Sequence, residues 1–69
     1  MSQEIRNILA NNIEKLRTKK GLKREELSLL LGFDNSYISK LEKSRINITI
    51  DKLEKIAKYF GIEPHTLLK

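Results

Sequence analysis

The sequence predicts an all-α fold built from five short helices. Three glycines, Gly21, Gly32 and Gly61, each follow an apolar stretch with helical spacing. Glycine is favoured directly after a helix, because the chain there takes a positive φ that other residues tolerate poorly. The proposed helix starts share a second pattern, in which an apolar residue just before the helix recurs five positions later, as in a hydrophobic staple. The staple pairs are Leu22 with Leu27, Phe33 with Ile38, Ile48 with Leu53, and Ile62 with Leu67.

Each helix has its own local support. The apolar stripe of the first helix consists of Ile5, Ile8, Leu9, Ile13 and Leu16. Asp34 and Thr49 are favourable N-caps for the third and fourth helices, and Pro64 suits the first position of the fifth. Lys23, before the second helix, is a poor cap. We expect the helices at about residues 3–20, 24–31, 35–43, 50–60 and 64–68.

One segment between the third and fourth helices alternates apolar and polar residues as a strand would. It reads Arg45-Ile46-Asn47-Ile48-Thr49-Ile50. A lone strand has no partner in this sequence, so we interpret the segment as a loop. Its isoleucines either point into the core or are offered to another subunit.

The composition favours a nucleic-acid partner and argues against catalysis. The 69 residues include 14 Lys and Arg against 9 Asp and Glu, a formal net charge of +5, which favours polyanions. There is no cysteine and only one histidine, His65, so we expect no metal site and no cofactor. We expect no enzyme, because no nucleophile, base and acid come together in the sequence. Charged residues interrupt every apolar stretch, which predicts a cytoplasmic protein with no membrane association.

The connection between the second and third helices predicts a helix-turn-helix. Only Gly32, Phe33 and Asp34 join them, too few for an antiparallel pair, so the helices must cross steeply. Around this turn, several motifs resemble the lambda-repressor and Cro superfamily, also known as the xenobiotic-response-element family. They are Leu16-Arg17, Gly21-Leu22, Glu26-Leu27, Gly32, Tyr37-Ile38-Ser39, Leu41-Glu42 and Leu53-Glu54-Lys55-Ile56-Ala57.

This resemblance extends from Asn12 to Leu68 and has a finer component. The segment Asn35-Ser36-Tyr37-Ile38-Ser39, followed by Arg45, Asn47 and Thr49, is similar to the controller proteins of restriction-modification systems. The chain departs from the family's usual residues at Lys23, Arg24, Ser28, Ser44 and Ile48, where Ser or Thr, Gln, Ala, Gly and often Pro are common. Lys23 and Arg24 replace hydrogen-bonding residues with cations, and Ser44 leaves the path of the chain after the third helix open.

The resemblance implies that residues 1–69 form a single five-helix, lambda-repressor-like domain. Its third helix would be the recognition helix, with its N-terminal residues toward base edges in the major groove. The candidate base-reading residues are Asn35, Ser36, Tyr37 and Lys40. Asn pairs well with adenine, and Lys with guanine or a phosphate. Polar residues are also common at helix starts for purely local reasons, so this alternative stays open.

Basic residues on both sides of the recognition helix are candidates for binding phosphate. Lys23 and Arg24 lie at the start of the second helix, where free N–H groups favour an anion. Beyond the third helix, Lys43, Arg45 and Asn47 lie where the family often grips the backbone. A run of basic residues is otherwise usually a solvated face. By family position, Arg17 pairs with Glu42 and orients the recognition helix without touching DNA.

The implied function is a sequence-specific regulator that binds double-stranded DNA as a homodimer on a palindromic operator, with a restriction-modification controller as the finer expectation. The candidate dimer residues are Ile46, Tyr59, His65 and Leu68. The alternative is a small helical adaptor or antitoxin-like protein that binds a protein partner. Leu29, Ile46, Tyr59 and Leu68 fall off the core stripes and could serve either surface.

Overall fold

A computed structural model describes residues 2–69, and its helices follow the order that the sequence predicts. The α-helices are α1 (Gln3–Lys19), α2 (Arg24–Leu30), α3 (Tyr37–Glu42) and α4 (Ile50–Phe60). The predicted fifth helix, Pro64–Leu68, is present as a 3₁₀ helix, so the described chain has four α-helices and not five. The all-α class is confirmed, and the described residues contain no strand. None of the helices within residues 2–69 has both the length and the apolar character to cross a membrane.

Side chains cap three of the four α-helices at their first turns. The Ser2 hydroxyl accepts a hydrogen bond from the Ile5 N–H, and the predicted cap Thr49 accepts one from the Lys52 N–H, both at 3.2 Å. The start of α2 is capped from inside the helix, because the Lys23 N–H donates to Glu26 Oε1 at 2.8 Å. A lysine side chain has no acceptor for the N–H groups of the first turn, so only the Glu26 half of a capping box is present.

The start of α3 differs from the prediction. Helix 3 was expected from residue 35 with Asp34 as its N-cap, but α3 begins at Tyr37 and its N-cap position is Ser36. The intervening residues form a turn in which the Tyr37 N–H donates to the Asp34 carbonyl at 3.0 Å. Asp34 Oδ2 accepts from the Ser36 N–H at 3.2 Å, as in an Asx turn. Hydrogen bonds from the side chain and then the backbone of Ser36 lower the pKa of Asp34.

All four α-helices end in the same motif. In each, a residue with positive φ follows the last turn, and its N–H and the next N–H along the chain both bond back to that turn, as in a Schellman motif. The residues with positive φ are Gly21 (70°), Gly32 (75°), Ser44 (59°) and Gly61 (69°). Ser44 is the one non-glycine in this set. Its N–H donates to the Leu41 carbonyl at 3.0 Å, and the Arg45 N–H donates to the Lys40 carbonyl at 3.2 Å.

The core lies where α1, α3, α4 and the 3₁₀ helix meet, with α2 packed on α3. Its buried apolar residues are Leu9, Ala10, Ile13, Leu27, Leu31, Ile38, Leu41, Leu53, Ile56, Ala57 and Leu67. The second member of every predicted staple pair is buried, and the first members, Leu22, Phe33, Ile48 and Ile62, are half-buried against the core. The five-residue spacing therefore located the apolar contacts correctly, even at α3, whose first turn begins later than expected.

Candidate nucleic-acid interface

A buried hydroxyl fixes how the two helices of the helix-turn-helix cross. Ser28 lies in α2 and is fully buried. Its Oγ donates to the Arg24 carbonyl at 3.0 Å and accepts from the Ile38 N–H in α3 at 3.1 Å. The Ile38 N–H is one of the donors at a helix start that no helical carbonyl can satisfy. The sequence marked Ser28 only as a departure from the family's usual Ala, and its polar bond to α3 was not foreseen.

The predicted base-reading residues lie just before α3 or within it, and their side chains differ in exposure. Asn35 and Lys40 are exposed. Ser36 is half-buried, and its hydroxyl donates to Asp34 Oδ2. The structure therefore presents Asn35 and Lys40 to solvent and engages Ser36 in the local turn.

Tyr37, the remaining predicted base-reading residue, turns its hydroxyl inward. Its ring is half-buried and meets the Phe33 ring edge-on, with centroids 4.8 Å apart. Its hydroxyl is buried without a hydrogen-bond partner among the described residues, and burial raises the pKa of Tyr37. A phenol that faces the interior cannot reach a base edge in this conformation. The apolar spacing at 33, 37 and 38 favours such packing, because an aromatic ring next to a buried Ile38 completes the core.

Two lysines of α4 lie beside the start of α3, and the sequence did not single them out as DNA-binding candidates. Lys52 Nζ lies 4.4 Å from the centroid of the Tyr37 ring and 5.6 Å from that of Phe33. Lys55 Nζ lies 5.5 Å from the Phe33 centroid. These are cation–π distances, and they place two positive charges near the turn that leads into α3. The sequence signal that could have indicated them is their spacing of three residues along α4, beside the apolar stripe.

A buried carboxylate joins α1, α2 and α3. Arg17 Nε donates to Glu42 Oε2 at 2.7 Å, and Arg17 Nη2 to Oε1 at 3.2 Å, so the structure contains the expected ion pair. The Glu42 side chain is 2% exposed. Arg24 Nε also donates to Glu42 Oε1, at 2.8 Å, from a half-exposed side chain. Arg24, expected to bind phosphate, thus shares its guanidinium with Glu42.

The loop between α3 and α4 follows the alternation that the sequence shows. Lys43, Arg45 and Asn47 are exposed, whereas Ile46 and Ile48 are half-buried against the core. Ile46 and Ile48 therefore point inward, one of the two arrangements expected for the isoleucines of this segment, whereas Ile50 is 71% exposed. Asn47 Oδ1 accepts a hydrogen bond from Arg6 Nε at 2.9 Å, a link to α1 that the sequence did not indicate. Lys23, at the other side of the helix pair, is also exposed.

The predicted dimer residues are only partly exposed to solvent, where a second protomer could contact them. Ile46, Tyr59 and Leu68 are half-buried and packed against the core, and Lys20 Nζ lies 5.1 Å from the centroid of the Tyr59 ring. His65 is exposed. A shallow groove of about 260 Å³ lies nearby, lined by Asn12, Lys15, Leu16, Ile62, Thr66 and Leu67. Across residues 2–69, no three His, Cys, Asp or Glu side chains group together as metal ligands would.

Comparison with known proteins identifies relatives along nearly the whole chain. A family profile described as helix-turn-helix, HTH_3, matches residues 13–67. A protein of Neisseria meningitidis serogroup B named as a hypothetical transcription factor is 38% identical over 66 residues, which are 96% of this chain and 62% of that protein. The chain therefore spans less than two thirds of that relative's length.

Two further relatives carry names from restriction-modification systems. Control protein C.BamHI of Bacillus amyloliquefaciens is 30% identical over 69 residues, which are 99% of this chain and 85% of that protein. The crystal structure of the restriction-modification controller protein C.AhdI from Aeromonas hydrophila superposes with a TM-score of 0.81 at 34% identity, covering 90% of this chain and 94% of that one. The resemblance drawn from the spaced motifs is confirmed.

Proposed function

Since the chain belongs to the HTH_3 helix-turn-helix family, we propose that it is a transcription regulator that reads double-stranded DNA with α3 in the major groove. The observation that carries this proposal is the surface formed by the start of α3 and the loop after it. Lys40, Lys43 and Arg45 are exposed there, and none takes part in the ion pairs among residues 2–69. Free cations beside an exposed amide match the chemistry of phosphates and base edges.

Residue roles follow from what each side chain exposes. We assign base reading to Asn35 and Lys40. Ser36 contributes only if its hydroxyl gives up the hydrogen bond to Asp34. Lys43, Arg45 and Asn47 contact phosphates on one side of α3. Lys23 and Arg24 contact them on the other side, although Arg24 Nε is bonded to Glu42 and its Nη2 lies 3.9 Å from Glu14 Oε2. Arg17 and Glu42 hold the helices in register beneath this surface. Lys52 and Lys55 add positive charge at the turn that precedes α3.

The active species in this proposal is a homodimer on a palindromic operator. One such domain contacts too few base pairs for a selective regulator, and a twofold dimer doubles the site. Its half-site centres would lie about 34 Å apart, one turn of DNA. Tyr59, His65, Leu68 and Ile46 are the proposed dimer residues. The relatives named as control proteins support a role in regulating a restriction-modification system.

In vitro selection of bound duplexes, followed by a salt series on the selected sequence, tests the proposal. We expect a roughly palindromic site and a steep loss of affinity with added salt, because phosphate contacts release counterions. Sedimentation of the free protein at tens of micromolar is expected to show a dimer. An asymmetric footprint from a monomer would contradict the dimer. Failure to bind any DNA duplex would contradict the whole assignment.

A second candidate, a protein-binding adaptor or antitoxin-like partner, is favoured by one observation. Leu29 and Leu30, at the end of α2, are 60% and 58% exposed, and Ile50 at the start of α4 is 71% exposed. Large exposed apolar side chains can mark a partner site when they form a contiguous patch, and Leu29 and Leu30 are neighbours in sequence. The double variant Leu29→Ser/Leu30→Ser separates the candidates, since DNA binding should survive it and adaptor binding should not.

A further inference from the structure

The loop after the recognition helix is tied to the first turn of α1 through Arg6 and Asn47. Arg6 Nε donates to Asn47 Oδ1 at 2.9 Å across 41 residues of sequence. Arg6 is itself braced, because its Nη1 donates to Gln3 Oε1 at 3.3 Å, and Gln3 Nε2 donates to Asn7 Oδ1 at 3.0 Å. Along the described chain, this is the one side-chain hydrogen bond between α1 and that loop.

The chemistry of the two groups fixes the orientation of the amide. A guanidinium only donates, so Asn47 must turn its oxygen toward Arg6, and its NH₂ group then faces away from Arg6. A phosphate oxygen only accepts, so it requires the NH₂ side. We infer that Arg6 is a positioning residue that holds the Asn47 amide with its NH₂ group presented to a DNA phosphate. This inference rests on the proposed function, because it names how one assigned contact is oriented.

The bond between Arg6 and Asn47 should matter for DNA affinity, whereas a purely structural role would make it matter for the stability of the fold. Both side chains lie at the surface, where water competes for the bond, so its net contribution to folding is small. When DNA covers the loop, an amide already oriented toward the phosphate loses less rotational freedom than a free one. The consequence of losing Arg6 should therefore appear in DNA affinity and not in the melting temperature.

Two substitutions separate the hydrogen bond from the charge. Arg6→Gln removes the charge but keeps an N–H donor at the position of Nε, about five bonds from the backbone nitrogen along the side chain. Arg6→Met removes the same charge and has a methyl group there. Binding of both variants to one random-sequence duplex is measured against salt, at a temperature where circular dichroism shows both to be folded. A phosphate contact needs no operator, so this probe is sufficient.

We expect Arg6→Met to bind the duplex roughly two- to tenfold more weakly than Arg6→Gln for each protomer in which the Asn47 amide has lost its partner. The two variants should share one slope of log K against log salt, because their charges are equal. In an Asn47→Ala background the difference between Gln and Met should disappear. This coupling is specific to an action through Asn47.

Equal affinities of Arg6→Gln and Arg6→Met in the native background would overturn the inference. If the salt slope of both had also fallen by about 0.9 per protomer, Arg6 would be a phosphate ligand in its own right. A large drop in melting temperature for Arg6→Met alone, with unchanged affinity of the folded protein, would assign the bond a structural role and also overturn it. Wild-type protein that binds no duplex would instead reject the proposed function itself.

Discussion

The helix pair α2–α3 and the loop that follows it are held in place by opposite means. Buried polar bonds hold the pair: Ser28 bonds to the Ile38 N–H within it, and Glu42 of α3 bonds to Arg17 of α1. In the loop, apolar side chains supply the anchorage, through Ile46 and Ile48, while the polar groups stay exposed. The orientation of the proposed recognition helix therefore depends on a few buried polar bonds, whereas the position of the loop depends mainly on its alternating apolar side chains.

The largest effect on stability is expected where the buried carboxylate loses its main partner. Arg17→Met should reduce the free energy of unfolding by about 3 kcal/mol, because Glu42 stays buried with only Arg24 beside it. That is a large share of the stability that a chain of this size possesses. Urea denaturation followed by circular dichroism measures the loss.

Arg24→Met is the matched control for this prediction. Its side chain is 49% exposed, so its pair with Glu42 is screened by water and should contribute about 1 kcal/mol or less. Equal losses for the two arginines would mean that burial does not distinguish them. The buried polar bonds of the helix pair would then contribute no more to stability than its exposed ones.

Removal of the hydroxyl between α2 and α3 is the next prediction. Ser28→Ala should destabilise the fold by about 1 to 3 kcal/mol, because it leaves the Ile38 N–H buried without a partner. Ser39→Ala, on α3 but without a side-chain hydrogen bond, should stay within about 0.5 kcal/mol of wild type. Thermal melting of both variants gives the comparison. An unchanged Ser28→Ala protein would show that the helix crossing does not need this bond.

The sequence predicted the apolar frame of the fold better than the polar bonds within it. Staple spacing placed Leu27, Ile38, Leu53 and Leu67 in the core, because apolar burial depends on periodicity that the sequence displays directly. The start of α3 was placed two residues early, since Asp34 can cap either a helix or an Asx turn and the sequence does not distinguish the two.

Polar contacts between distant segments explain what the sequence missed in the candidate site. Arg6 with Asn47, and Ser28 with Ile38, join residues from different elements, and no spacing rule links them. The Arg17–Glu42 pair was foreseen only because the family resemblance supplied it. The inward packing of Tyr37 against the Phe33 ring was not indicated either, because a residue at a helix start can face either solvent or the core.

A comparison of two DNA-binding variants addresses the division between helix and loop directly. Asn35→Ala should lose about 1 to 3 kcal/mol on the preferred operator and far less on random duplex, because a base contact depends on sequence. Arg45→Ala should weaken both DNAs alike and lower the slope of log K against log salt by about 0.9 for each phosphate that the variant no longer neutralises.

Gel shifts on operator and random duplex over a salt series make this measurement, after circular dichroism has verified the fold of each variant. If Asn35→Ala keeps the wild-type ratio between the two DNAs, Asn35 does not read a base, and Lys40 becomes the leading candidate on α3. If Arg45→Ala changes that ratio, the loop reads sequence as well. The assignment of specificity to the helix and affinity to the loop would then need revision.

The smallest expected effect lies at Ser44, where the pair meets the loop. Ser44 has a φ of 59° at a position where the other three α-helices have glycine. A non-glycine residue with φ in this region destabilises the folded state by about 1 to 2 kcal/mol. Glycine avoids this strain, but its more flexible unfolded chain offsets roughly 0.5 to 1 kcal/mol of the gain. Ser44→Gly should therefore raise the free energy of unfolding by up to about 1 kcal/mol.

Differential scanning calorimetry can resolve this gain, since each kcal/mol shifts the melting temperature of such a small domain by about 4 to 8 °C. Gly61→Ser is the reciprocal control: its φ is 69° and a Cβ there meets no atom within 4 Å, so any loss reflects the backbone alone. DNA affinity of Ser44→Gly should match wild type, because Ile46 and Ile48 still anchor the loop. A stabilised variant with weaker DNA binding would show instead that Ser44 sets the loop's shape, and that an apolar pattern is not sufficient to hold it.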